Sequence, residues 1–150
     1  MAADVREANR AWEAVLTAHA AVLRRFADES IWREQGVSMR EYDVLYTLAK
    51  CDEATARIGD LKEGVLLSQP ALSRMVDRLE TRGLVARVPD PEDGRAVRVT
   101  LTDTGQAVQR AVGRAHARSV EREMRALTPA EQQQLETLMQ KLTSQELRSH

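Results

Sequence analysis

The fold is decided by one stretch, SQPALSRMVDRLETRGLVARVPDPEDGRAVRVTLTDTG, which runs from Ser68 to Gly105. Ser68 is a residue type that caps helices, and Pro70 falls in the first turn, where a missing amide costs no intrahelical bond. Leu72, Met75, Val76 and Leu79 then recur at steps of three and four, which predicts one buried face on a helix. Gly83 follows the run and suits the left-handed backbone that ends helices. Residues 85–88 and 96–101 are apolar or β-branched, and Val97, Val99 and Leu101 alternate with Ala96, Arg98 and Thr100. Between them, Pro89-Asp90-Pro91-Glu92-Asp93-Gly94-Arg95 is dense in turn formers. The expectation is a helix followed by a β-hairpin with a charged tip.

Upstream, residues 58–64 read as a short helix with Ile58 and Leu61 inward, joined to the next helix by the turn Val65-Leu66-Leu67. Ser38-Met39-Arg40-Glu41 has the form in which side chain and backbone satisfy each other at a helix start, and the helix it opens buries Tyr42, Leu45, Leu48 and Ala49. Before Gly36, the residues Val5, Ala8, Trp12, Val15, His19, Val22 and Phe26 form one stripe. A single helix over 4–33 would be about 45 Å long, against a radius of gyration of about 15 Å for a compact chain of this size. Its stripe therefore calls for a second chain. Downstream, Thr102 caps a helix over 103–125 with Val108, Ala111, Val112, Ala115 and Val120 on one side. Thr128-Pro129-Ala130-Glu131 opens a last helix that carries Leu135, Leu138, Met139 and Leu142.

The predicted class is mainly α with a small β-hairpin wing. One domain, 1–150, would hold a winged helix-turn-helix head at 38–102, flanked by long N- and C-terminal dimerisation helices at 4–33 and 103–148.

Composition narrows the function. The chain has 150 residues, 22 basic and 23 acidic, for a formal charge of −1, so no global field draws it to nucleic acid. Any contact with DNA must come from local placement of its arginines. Cys51 is the single cysteine, and His19, His116 and His150 are far apart, so no metal site and no cofactor are expected. The chain offers no apolar run of membrane-spanning length and no secretory leader, which predicts a cytoplasmic protein with no membrane partner. No Gly-x-Ser-x-Gly turn, phosphate loop or paired acids in an apolar setting occurs, so the chain is not expected to be an enzyme.

With one face of the helix after Ser68 buried, its front must present Gln69, Pro70, Ser73 and Arg74, then Asp77 and Arg78. Short polar groups and arginine suit base edges and phosphates. A plain solvated face is the alternative, with Asp77 and Glu80 pairing Arg74, Arg78 and Arg82. At the hairpin tip, Asp93 can orient Arg95, and an arginine on a thin projection can enter a narrow minor groove.

The run from Leu79 to Arg95, continued by Val99-Thr100-Leu101-Thr102-Asp103-Thr104-Gly105, resembles the signature of the MarR family, the multiple antibiotic resistance regulators. The resemblance in element order covers nearly the whole chain, and its specific motif occupies residues 68–105. It implies a homodimer held by the terminal helices, each chain offering one winged head to a pseudo-palindromic operator in double-stranded DNA. It also implies that Ser68, Gln69, Pro70, Ser73 and Arg74 read the major groove, that Arg78 contacts the backbone, and that Arg95, braced by Asp93, enters the minor groove. Lys62 and Leu66 depart from the pattern, standing where the family has a small residue and a turn glycine; Gly64 is expected to absorb the resulting strain.

The resemblance further implies a repressor released by a small aromatic or anionic effector where the terminal helices meet the head. Trp12, His19, Tyr42 and Tyr46 are the candidates, each also readable as core. A urate-responsive branch adds Arg98 and Arg110, although Val65 stands at that branch's acidic position. Two alternatives remain: a winged-helix interaction module without DNA binding, and a thiol-based redox sensor through Cys51, which shares a helix face with Val44 and Leu48.

Overall fold

The computed structural model describes residues 2–65 and 67–144, with side chains from Asp4 onward. Leu66, His150 and the expected limit at 148 lie outside the described residues. Backbone contacts divide the chain into two compact units, Met1–His116 and Ala117–His150.

In the first unit, helix α1 (Ala2–Ala27) is followed by the short α2 (Ile31–Gln35) instead of continuing to residue 33. The break has a physical cause at its end. The Trp32 indole N–H donates to the Phe26 carbonyl at 2.6 Å and the Glu29 amide donates to the same oxygen at 3.2 Å, which consumes a carbonyl the helix would have needed. Phe26 and Trp32 are both buried, so the chain turns to bring two aromatics under cover. What remains of α1 is still about 39 Å long. Val5, Trp12, Leu16 and Leu23 along it are exposed.

Helix α3 (Met39–Lys50) begins with the expected reciprocal cap: Ser38 Oγ accepts from the Glu41 amide at 3.1 Å, and the Glu41 carboxylate accepts from the Ser38 amide at 3.3 Å. A 3-10 turn at Asp52–Ala54 then leads into strand β1 (Thr55–Arg57), α4 (Ile58–Gly64) and α5 (Gln69–Thr81). In α5 the four expected residues, Leu72, Met75, Val76 and Leu79, are buried. Its C-terminus closes with Gly83 at φ +71°, the Leu84 amide bonded to the Leu79 carbonyl and the Gly83 amide to the Glu80 carbonyl.

Strands β2 (Val85–Pro89) and β3 (Val97–Leu101) form the wing hairpin, and β1 adds a third antiparallel strand in the order β1-β3-β2. The hairpin was expected; β1 was not, because three residues are too few to display an alternation. Its register sets Thr55 opposite Thr100, with their hydroxyl oxygens 2.8 Å apart. Leu45 and Leu48 of α3, Leu61 of α4, Leu72 and Leu79 of α5, and Val99 of β3 are fully buried around one core.

Helix α6 (Asp103–Met124) is capped by Thr102, whose Oγ1 accepts from the Gly105 amide at 3.0 Å. Gly105 is needed for close approach: a Cβ there would fall on the Leu84 carbonyl oxygen. This packs the start of α6 on the backbone that enters the wing.

In the second unit, helix α7 (Pro129–Thr143) opens with the Thr128–Glu131 capping box. The Gln132 side-chain amide donates to the carbonyls of Met124 and Leu127, which ends α6. No described residue of α7 is buried, and Leu135, Leu138 and Leu142 are exposed. Among the described residues no helix is long and apolar enough to cross a membrane.

Candidate nucleic-acid interface

Helix α5 owes its start to Ser68, whose Oγ accepts from the Ala71 amide at 3.3 Å. With its apolar face sunk in the core, the cap and first three turns leave Ser68, Gln69, Pro70, Arg74 and Arg78 exposed and Ser73 half-buried. Lys62, one element earlier, is exposed. Gly64 does not take up strain, since its φ is not positive. Its role is contact, because a Cβ there would meet Thr47 Cγ2 at 2.9 Å.

The wing is organised by a residue that sequence reading passed over. Asp90, buried at the base of the wing loop, accepts from the guanidinium Nε of Arg57 at 2.6 Å and of Arg98 at 3.1 Å. Its other oxygen accepts from the amides of Glu92 and Asp93 at 2.8 and 3.3 Å. The Arg57 bond, then the Glu92 amide, hold this carboxyl well below the usual carboxylate range against the opposing effect of desolvation. A signal was present in the sequence: Asp between two prolines is a residue whose side chain closes a local turn on amides ahead of it.

Asp93 does brace the tip, but through the backbone. Its carboxylate accepts from the Arg95 amide at 3.1 Å, and the Arg95 side chain extends into solvent.

The acids of α5 are not paired as a solvated face would pair them. Asp77 and Glu80 both bind Arg87 of β2, at 2.6 and 2.9 Å, and Arg82 binds Glu41 at 3.0 Å and the Gly36 carbonyl. Arg74, Arg78 and Arg95 therefore stand exposed, with no ion pair or side-chain hydrogen bond among the described residues. Arg57 and Arg87 carried no local sequence signal, since their partners lie in other elements.

The six residues expected to meet an effector are dispersed. Trp12 and Arg110 are exposed on α1 and α6. Tyr42 is buried and stacks on Tyr46 at 5.8 Å, and the Lys50 ammonium lies 4.4 Å above the Tyr46 ring. Burial pushes the Tyr42 hydroxyl up, opposed by a bond with Gln109. Arg98 belongs to the Asp90 clasp, so its guanidinium is committed to the wing. His19 alone of the six lines a crevice of about 350 Å³ between α1, α3 and α6, with Leu23, Phe26, Met39, Arg40, Asp43, Val65, Leu67 and His116. His116 was passed over as one of three scattered histidines. Its ring meets Phe26 edge-on at 4.8 Å, and its Nδ1 is buried without a hydrogen-bond partner among the described residues. Desolvation in the crevice pushes the Asp43 carboxyl up, opposed first by His116 and then by Arg40. Cys51 caps α3 and donates its thiol proton to the Thr47 carbonyl at 3.3 Å.

Two helices joined by a tight turn, the second exposing polar groups and free arginines beside a charged β-wing, define a winged helix-turn-helix protein. The MarR family model matches residues 35–96. The HTH-type transcriptional regulator YkoM of Bacillus subtilis is 30% identical over 73% of this chain and 70% of its own length. AbsC, a MarR family transcriptional regulator from Streptomyces coelicolor, has a similar crystal structure, with a TM-score of 0.81, 25% identity and 95% of each chain covered. Sco3205, a MarR family regulator of the same organism solved in complex with DNA, superposes with a TM-score of 0.78 and 27% identity over 90% of this chain and 84% of its own. The chain belongs to the MarR family of DNA-binding transcriptional regulators, and members of that family are not enzymes.

Proposed function

We propose that this protein is a homodimeric, sequence-specific repressor in the cytoplasm that leaves its operator when a small molecule binds. The observation that carries the DNA-reading part is the exposure of Arg74, Arg78 and Arg95 without an acidic partner among the described residues, in a chain whose net charge is −1. Unpaired guanidinium groups on a helix front and a wing tip suit the phosphates and base edges of a major groove and the minor groove beside it. In this reading Ser68, Gln69, Pro70, Ser73 and Arg74 meet base edges and nearby phosphates. Arg78 meets the backbone, and Arg95, on the loop that Asp93 closes, enters the minor groove.

Dimerisation is supported by each terminal element separately. Trp12 is 56% exposed on α1 and Leu138 is 54% exposed on α7, in apolar company on both helices. Surfaces of that kind are covered in stable soluble proteins, and a two-fold pair would offer two heads to two half-sites about 34 Å apart. Ligand release is supported by the crevice that His19 and His116 line. Its size suits a small molecule, its walls are mainly apolar, and Arg40 could receive an anionic group.

The test is binding of the purified protein to duplexes selected from random sequence, at two salt concentrations. A selected palindromic site whose affinity falls steeply with salt supports the reading; indifference to sequence and salt refutes it.

A further inference from the structure

Arg87 makes three bonds to α5 from its place on β2: Nη2 to Asp77 Oδ1 at 2.6 Å, Nη1 to Glu80 Oε1 at 2.9 Å, and its backbone amide to Glu80 Oε2 at 2.9 Å. We propose that Arg87 is a positioning residue for DNA recognition, holding the two acids of the recognition helix against the wing so that they neither repel phosphates nor quench Arg74. The proposal rests on the interface described above and adds a residue that the interface itself does not contain.

The helix geometry shows why such a residue is needed. Asp77 lies three positions after Arg74, the spacing at which opposite charges pair along a helix face. Left to itself, Asp77 would take the guanidinium that the groove requires, and Glu80 would add a second carboxylate one turn further on. Arg87 occupies both. Its register opposite Val99 in β3 keeps its backbone fixed, so the two acids are fixed with it. The Asp77 side chain is 63% exposed and that of Glu80 41%, so the two ion pairs by themselves contribute little to folding stability.

The test compares four proteins on one duplex, selected from random sequence by the wild type and followed by fluorescence anisotropy: wild type, Arg87→Gln, Asp77→Asn with Glu80→Gln, and the triple variant. Arg87→Gln is expected to weaken binding on the order of tenfold. Removing the acids should change wild-type affinity little and restore most of what Arg87→Gln lost. A direct phosphate contact by Arg87 would instead make the effects additive, and that result, or an unchanged affinity in Arg87→Gln, overturns the proposal. Thermal melts check that each variant folds. If Arg87→Gln does not, Arg87→Lys, which can hold one acid but not both in the same fork, should give a partial loss that the acid substitutions again repair. Arg74→Ala and Arg95→Ala run alongside. If these lose affinity while Arg87→Gln does not, only the positioning role falls; if they too bind as the wild type does, the interface itself is wrong and the proposal falls with it.

Discussion

The Arg57 guanidinium lies 2.6 Å from the Asp90 carboxylate, and this contact joins β1, the strand that leads into α4, to the loop that carries the wing tip. Arg98 reaches the same oxygen from β3 at 3.1 Å. The first helix of the helix-turn-helix pair and the wing are thereby anchored to one buried carboxylate, which fixes where Arg95 stands relative to α5.

Replacing Asp90 by Asn should therefore weaken binding to every duplex by a similar factor while leaving sequence preference alone. The same residue has a pH signature. Its folded-state carboxyl is held below the ordinary value of 3.8, so the folded protein binds fewer protons than the unfolded chain, and the stability it contributes is present above that value and lost as pH falls through the folded one. Denaturant midpoints measured from pH 5 downward should fall more steeply for the wild type than for Asp90→Asn; parallel curves would refute the clasp.

The groove assignments separate into two kinds of effect. Arg95→Ala should cost affinity on all sequences and lower the salt slope by about one, as expected for one lost phosphate-proximal charge. Gln69→Ala or Ser73→Ala should change which bases are tolerated, at roughly 1–3 kcal/mol for a lost base contact. Parallel binding selections with the three variants measure both, and identical preferred sites throughout would contradict the assignment.

Gly105→Ala should destabilise the fold by roughly 1–3 kcal/mol, because a side chain on the Leu84 carbonyl overpacks a junction made of backbone. Urea titration of the variant reads the loss. A midpoint equal to that of the wild type would mean that α6 does not close on the wing as described.

The exposed apolar positions of the terminal helices make the proposed dimer testable. Leu16→Glu on α1 and Leu138→Glu on α7 should each shift sedimentation toward the monomer without unfolding the head, whose core contains neither residue. Unchanged sedimentation of both would count against the terminal helices as the interface.

Local rules made most of the fold legible. The capping boxes at Ser38 and Thr128, the cap at Ser68, the buried face of α5 and the left-handed Gly83 each depend on residues within a few positions of one another. What the sequence concealed is non-local. The end of α1 at Ala27 is set by a tryptophan six residues beyond Phe26, and β1 exists because Thr55 finds Thr100. The free arginines follow the same division. Helical phase alone puts Arg74 and Arg78 on the outside, but Asp77, the acid at pairing distance from Arg74, is held by Arg87 of another element, and the loop that carries Arg95 is closed on Asp90. The pairing of Arg98 was hidden for that reason, since its partner Asp90 lies across the wing loop.

The front of α5 and the wing tip are proposed to contact DNA together through unpaired arginines. The most direct measurement is the salt dependence of affinity for a selected duplex, comparing the wild type with a protein carrying both Arg74→Ala and Arg95→Ala. Log affinity should fall linearly with log salt for the wild type, with a slope shallower by about two in the double variant. Equal slopes for the two proteins would contradict that contact.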